Sequence, residues 1–363
     1  MSASPFAAIL RPELAELSAY LPHAGSFPIR LDANEAPALL SESARRRLVE
    51  ALMGTAWERY PDPRASELRA AIAAHMGVAP ERLLIGTGSD EVIALLLTAL
   101  DRPRRPGHPA TILTPTPTFV MYRLSARARG MRCVEVPLDA QWDLDERGML
   151  RAIEFAQPNV VFIATPNNPT GTAMSRTRIE AVIEAAKDAL VVIDEAYVDY
   201  ADRSNFDLLD RYSNVAILCT LSKIGFAALR VGWLAGPEEL VREVDKVRQP
   251  YNVPFPSQKL ATLVLRELSD EVRDIVAKVK AERERLGAAI ARLPGFSVSP
   301  SQANFLWVRT PEPAEVVHKK LAEQGVLVRS FHAAGGRLGH QLRITVGTPS
   351  ENDSLLEALG RCA

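Results

Sequence analysis

The stretch Leu190-Val191-Val192-Ile193-Asp194-Glu195-Ala196-Tyr197 decides the fold. Its first four residues are apolar and mostly β-branched, and an acid follows without a spacer. A run that short and that uniformly apolar reads as a strand buried on both faces, which occurs in a parallel sheet covered by helices. Six further segments read the same way: residues 82–85, 111–114, 132–136, 160–165, 215–220 and 230–235. Helical patterns lie between them, among them 90–100, 122–128 and 176–187. The expected fold is α/β, with a mostly parallel seven-stranded sheet between helices.

Residues 257–293 change character. They read as long helices with dense Glu, Lys and Arg from Asp274 to Arg285. Strands at 305–309, 326–329 and 342–346 follow, with helices at 314–324 and 351–359. This pattern predicts a smaller α+β domain. The alternation of the large domain starts only after Tyr60, so the N-terminal segment is expected to join the small domain. The expected division is 1–52 as an N-terminal arm and part of the small domain, 53–255 as the large domain, and 256–363 as the rest of the small domain.

Composition excludes several function classes. The 363 residues are 47% hydrophobic and 24% charged, with a formal net charge of -1. No basic block is present, which argues against nucleic acid or an anionic membrane as a partner. The N-terminus lacks a secretory pattern, and the longest apolar run, 92–100, is too short to span a bilayer. Three widely spaced cysteines (Cys133, Cys219, Cys362) make neither a metal pattern nor a disulfide framework, which fits a reducing cytoplasm. The six histidines form no HxxxH pair, so no zinc site is expected. There is no GxGxxG and no Walker lysine motif, which weakens nicotinamide and nucleoside-triphosphate readings.

The chemistry concentrates where strands end. Strand 215–220 runs into Leu221-Ser222-Lys223, and apolar residues follow to Leu229. Desolvation there lowers the lysine's pKa and makes its amine nucleophilic. An amine so placed, with Asp194 on a neighbouring strand, is what pyridoxal phosphate chemistry requires. The lysine holds the cofactor, and the acid keeps the pyridine nitrogen protonated so the ring accepts electrons. Singly, Lys223 also reads as a surface charge, Asp194 as a turn acid and Arg230 as the partner of a surface acid. Thr220, Ser222 and Arg230 together make a phosphate cradle. Gly86-Thr87-Gly88-Ser89-Asp90 joins a strand to a helix, and Ser89 and Asp90 sit where free N–H groups attract phosphate, or where a plain N-cap sits. The turn Thr165-Pro166-Asn167-Asn168-Pro169-Thr170-Gly171 is rigid and presents Asn168 to a phenolate oxygen, within reach of Tyr197. Phe119 reads equally as a ring-stacking aromatic or a core residue. Arg329 and Arg343 interrupt small-domain strands and need an anionic substrate or a structural ion pair.

In this order, the motifs resemble the fold-type-I, aspartate-aminotransferase-like pyridoxal phosphate enzymes over nearly the whole chain. They are most similar to the histidinol-phosphate aminotransferase family, through Leu31-Asp32-Ala33-Asn34-Glu35-Ala36-Pro37, Arg59-Tyr60-Pro61-Asp62 and Leu342-Arg343-Ile344-Thr345-Val346-Gly347-Thr348. The resemblance implies that Lys223 carries the cofactor and shuttles protons, Asp194 pairs with the pyridine nitrogen, and Asn168 and Tyr197 contact the 3-oxygen. Ser89, Asp90, Thr220, Ser222 and Arg230 would hold the phosphate, and Phe119 would stack on the ring. Tyr60 would reach into the partner's site in a homodimer. Arg343 would bind the substrate carboxylate and Arg329 the phosphate of histidinol phosphate, with Asn34 and Tyr20 as further substrate contacts. The implied reaction exchanges histidinol phosphate and 2-oxoglutarate with imidazole-acetol phosphate and glutamate, in L-histidine biosynthesis. Aromatic transaminase and threonine-phosphate decarboxylase activities belong to the same scaffold. One departure is that Arg230 follows Lys223 by seven positions, where many relatives have eight.

Overall fold

The structure, a computed structural model, describes Phe6, residues 9–17, Ala19 and residues 25–362. Tyr20 lies outside the described residues. The strands are β1 (Ile29–Leu31), β2 (Leu83–Thr87), β3 (Thr111–Thr116), β4 (Arg132–Pro137), β5 (Val160–Ala164) and β6 (Leu190–Asp194). They continue with β7 (Val215–Thr220), β8 (Val231–Ala235), β9 (Ser297–Ser299), β10 (Phe305–Arg309), β11 (Val326–Ser330) and β12 (Gln341–Thr345).

Seven of them form one sheet in the order β2-β8-β7-β6-β5-β3-β4. Only β8 runs against its neighbours. Successive side chains of a strand face opposite sides of a sheet, so a strand covered on both faces is apolar throughout. β5 shows this directly. Val161 and Ile163 join the core on one face of the sheet, and Val160 and Phe162 join the core on the other. Each such buried side chain contributes roughly 1.5–3 kcal/mol.

The second sheet has the order β1-β11-β12-β10-β9. β1, from near the start of the chain, pairs in parallel with β11, matching Ile29 to Val326 and Leu31 to Val328. Its core takes Leu31, Leu306, Val328, Leu342 and Ile344 from the strands and Leu286, Ile290, Leu355 and Leu359 from the helices Ser269–Ile290 and Pro349–Gly360. The latter helix starts on a capping box, Thr348 with Glu351, which satisfies otherwise free N–H groups. No helix among the described residues is long and apolar enough to cross a membrane.

This topology places the site. β2, β3, β5, β6 and β7 share one direction, so they end at one edge of the large sheet, where β8 begins. Ligands of open α/β sheets bind outside the carboxyl ends of the strands.

Candidate active site

Asp194 closes β6, opposite Ala164 of β5 and Leu218 of β7. It is 5% exposed. The Tyr122 hydroxyl donates to its Oδ2, and the Ala196 N–H donates to its Oδ1 at 3.0 Å. Burial pushes the carboxyl pKa up from 3.8 to about 6, while those two hydrogen bonds pull it down. Tyr122 is fully buried, and burial together with Asp194 drives its own pKa well above the usual phenol range, so it stays a donor. Its ring stacks on Phe162 at 4.6 Å and meets the edge of Phe119 at 5.5 Å. Sequence reasoning used Tyr122 only as the start of a helix. The available signal was a polar-tipped ring on an otherwise buried position of the helix Val120–Arg127, directly after a strand end.

Lys223 ends a single 3-10 turn, Leu221–Lys223, that leaves β7. Thr220 caps that turn, accepting the Ser222 N–H on its hydroxyl at 3.1 Å, and donates to the Val231 carbonyl at 2.9 Å. The Lys223 carbonyl accepts from Tyr200 at 2.7 Å, which fixes the backbone. Its Nζ stands 5.9 Å from the centre of the Tyr197 ring.

The expected phosphate residues share one corner. Ser222 Oγ lies 3.0 Å from Thr220 Oγ1 and 3.5 Å from Arg230 Nη1. Arg230 adopts a left-handed backbone (φ 50°) after the turn Ala227–Leu229, and its guanidinium pairs with Asp90 at 3.7 Å. Ser89 and Asp90 open the helix Ser89–Ala99, whose cap is Gly88 at φ 80°. A Cβ on Gly88 would lie 2.6 Å from Arg230 Nη2, and one on Gly232 would lie 2.4 Å from the Ser89 nitrogen. Bare backbone at these two points lets a guanidinium, two hydroxyls and a helix N-terminus close on one anion.

Across the edge, Arg343 donates to Asn168 Oδ1 at 2.6 Å and to the Asp32 carbonyl at 2.5 Å. The Asn168 amide therefore presents its NH2 as the donor end. Asn34, 1% exposed, donates from Nδ2 to the Tyr197 hydroxyl at 2.9 Å. Arg329 lies directly opposite Arg343 in the β11–β12 register. Phe119 caps the helix behind Asp194 and is half-buried. Tyr60 is not brought into this cluster by its own chain: it is 80% exposed and stacks on Tyr251 at 4.6 Å.

The donor set fits pyridoxal phosphate. A buried acid held between two donors suits a ring nitrogen, and the glycine-lined corner suits a phosphate. Asn168 follows the end of β5 and Tyr197 the end of β6, at the sheet edge where Lys223 follows β7.

The family described as aminotransferase class I and II matches residues 28–359. The chain is 41% identical to a histidinol-phosphate aminotransferase of Methylibium petroleiphilum, covering 97% of this chain and 94% of that one. It is 40% identical to a histidinol-phosphate aminotransferase of Aquifex aeolicus, covering 95% and 96%. Its fold is shared with the crystal structure of a histidinol-phosphate aminotransferase from Sinorhizobium meliloti in complex with pyridoxal-5'-phosphate, at a TM-score of 0.85 and 24% identity over 98% of this chain and 97% of that one. With matches of this extent, the chain belongs to the class I and II aminotransferases, and within them to the histidinol-phosphate aminotransferase family.

Proposed function

We propose that the chain is a pyridoxal-phosphate-dependent transaminase that interconverts histidinol phosphate and 2-oxoglutarate with imidazole-acetol phosphate and glutamate, in L-histidine biosynthesis. One observation carries the reading. Lys223, Asp194, Asn168 and Tyr197 converge at one sheet edge in a chain about 40% identical to enzymes of that name. Bound pyridoxal phosphate supplies an electron sink that acidifies the substrate's α-carbon. Lys223 holds the cofactor and then moves the proton between that carbon and cofactor C4′. Asp194 keeps the ring nitrogen protonated, and Tyr122 holds Asp194 in place. Ser89, Asp90, Thr220, Ser222 and Arg230 hold the phosphate, with the Ser89 and Asp90 N–H groups as donors and the Asp90 carboxylate as counter-ion to Arg230. Phe119 packs beside the ring. Arg343 takes the substrate carboxylate and Arg329 the substrate phosphate, because a planar guanidinium serves both anions.

The proposed assembly is a homodimer that shares its sites. Met53, Trp57 and Tyr60 are all strongly exposed, and Tyr251 stacks on Tyr60; exposed apolar side chains of this kind suit a second copy. The same reading divides the chain at residues 52 and 255, supported by β1 pairing with β11, and places the enzyme in the cytoplasm, supported by three free cysteines.

A substrate panel tests the function. Turnover with histidinol phosphate and 2-oxoglutarate is expected to exceed turnover with phenylalanine, and threonine phosphate is expected to release no carbon dioxide. A reversed preference, or decarboxylation, sinks the assignment. For the shared site, mixing Tyr60→Ala with Lys223→Ala is expected to restore activity in hybrid dimers; no restoration counts against sharing.

A further inference from the structure

Asn34 lies three residues past β1 and has a left-handed backbone, φ 56°. Asparagine tolerates that conformation better than most residues. Its polar groups are all engaged. Its N–H donates to Thr345 Oγ1 at 3.0 Å, and its carbonyl accepts from Asn304 at 3.0 Å. Thr345 Oγ1 spends its single hydrogen on Asn34 Oδ1 at 3.3 Å. A hydroxyl has one hydrogen and two lone pairs, so this arrangement fixes which end of the Asn34 amide is which. The NH2 end faces Tyr197 and donates to its oxygen at 2.9 Å. Thr345 closes β12 and Asn304 precedes β10, so Asn34 is built into the small sheet while its amide touches a large-sheet loop.

The consequence concerns a proton. With Asn34 donating into the phenol oxygen, the Tyr197 hydroxyl hydrogen must point elsewhere. Among the described residues the hydroxyl makes no second hydrogen bond. Tyr197 is buried, and a buried hydroxyl hydrogen without an acceptor is costly. Lys223 Nζ, which would carry the cofactor, stands 5.9 Å from the centre of the Tyr197 ring.

We propose that Asn34 is a positioning residue that aims the Tyr197 hydroxyl hydrogen at the cofactor's 3-oxygen and thereby sets the acidity of the proton held between that oxygen and the Lys223 nitrogen. The inference rests on the cofactor assignment above. It gives Asn34 a role through Tyr197 rather than as a substrate contact. A hydrogen bond donated to the 3-oxygen draws negative charge from it and weakens its hold on the neighbouring proton. The holoenzyme therefore loses that proton at a lower pH than it would without the aimed hydroxyl.

The test is a visible-absorbance pH titration of the substrate-free holoenzyme. Asn34→Gly keeps the left-handed backbone and removes the amide. It is expected to raise the titration midpoint by about 0.5 pH unit, in the direction of a larger rise in Tyr197→Phe. In the Tyr197→Phe background, Asn34→Gly is expected to add no further shift, because the two act as one unit. Asn34→Asp guards against loss of fold: it is close in shape, and its carboxylate accepts from Tyr197 instead of donating to it. It too is expected to raise the midpoint, and the part of the rise that depends on the phenol is expected to vanish in the Tyr197→Phe background. An unshifted midpoint with a raised KM makes Asn34 a substrate contact and overturns the inference. Equal shifts with and without the Tyr197 hydroxyl overturn it too. A colourless wild-type protein sinks the cofactor assignment, whereas a coloured protein with an unshifted midpoint sinks the inference alone.

Discussion

The two sheets contribute to the site in different ways. At the large-sheet edge, Asp194, Thr220 and Ser222 are buried, and their partners come from the same sheet or the helices on it. At the small-sheet rim, Arg343 is half-buried, and its Nη1 and Nη2 donate to Asn168 and to a main-chain carbonyl. The first arrangement is preformed for a group that stays. The second holds its charges on the protein's own oxygens, which an incoming anion can replace at little net cost in hydrogen bonds. That is the arrangement a site needs when it must accept a carboxylate at one time and a phosphate at another.

Four substitutions sharpen this contrast, the largest effect first. Lys223→Ala is expected to remove transamination by more than about 10⁴-fold, measured as 2-oxoglutarate-dependent turnover, with the melting temperature of the cofactor-free protein unchanged. Retained turnover would place the chemistry on another amine.

Asp194→Asn is expected to lower kcat by roughly 100-fold, about 2.7 kcal/mol of barrier. Its effect on the cofactor-free protein has the opposite sign. The native carboxyl titrates near 6 rather than 3.8, so the folded state binds the extra proton between those values, and stability falls as pH rises through the window. Above pH 6 the full burial cost of the charge is present, about 3 kcal/mol at most. The cofactor-free Asp194→Asn protein should resist urea better than wild type at pH 7 and equally below pH 4. A loss of stability at pH 7 would mean that Asp194 is stabilising where it stands.

Arg343→Lys keeps the charge and loses the planar fork. An increase of about 10-fold in the KM for glutamate is expected, with a smaller change in kcat. An unchanged KM would remove Arg343 from the substrate side. The smallest effect is expected of Gly88→Ala, whose methyl would lie 2.6 Å from Arg230 Nη2 at a backbone φ of 80°. The guanidinium has to swing away, and affinity for pyridoxal phosphate should fall several-fold while kcat at saturating cofactor holds. Equal losses in both would mean that the glycine serves the fold and not the cradle.

Most of the large sheet was legible because burial on both faces leaves uniform apolar runs. β5, β6 and β7 start where those runs start, and β6 and β7 also end with them. The direction of β8 was not legible, since an apolar run carries no sense of direction. β1 and β9 were missed because three residues are too few to show a period. In the site, residues adjoining strand ends could be read from their neighbours in sequence. Tyr122 could not, because it meets Asp194 across 72 positions and its helix looks like any other that packs on a sheet. The contact of Asn34 with Tyr197 spans 163 positions and depends on how the second sheet sits against the first.

The pairing of β1 with β11 has a consequence for how the chain is made. All seven strands of the large sheet lie between residues 83 and 235, so they can assemble while the ribosome is still working. Ile29–Leu31 is synthesised before any of them, yet its hydrogen-bonding neighbour begins at Val326. The nascent protein therefore carries Ile29–Leu31 without its sheet partner until residues 326–330 have been made.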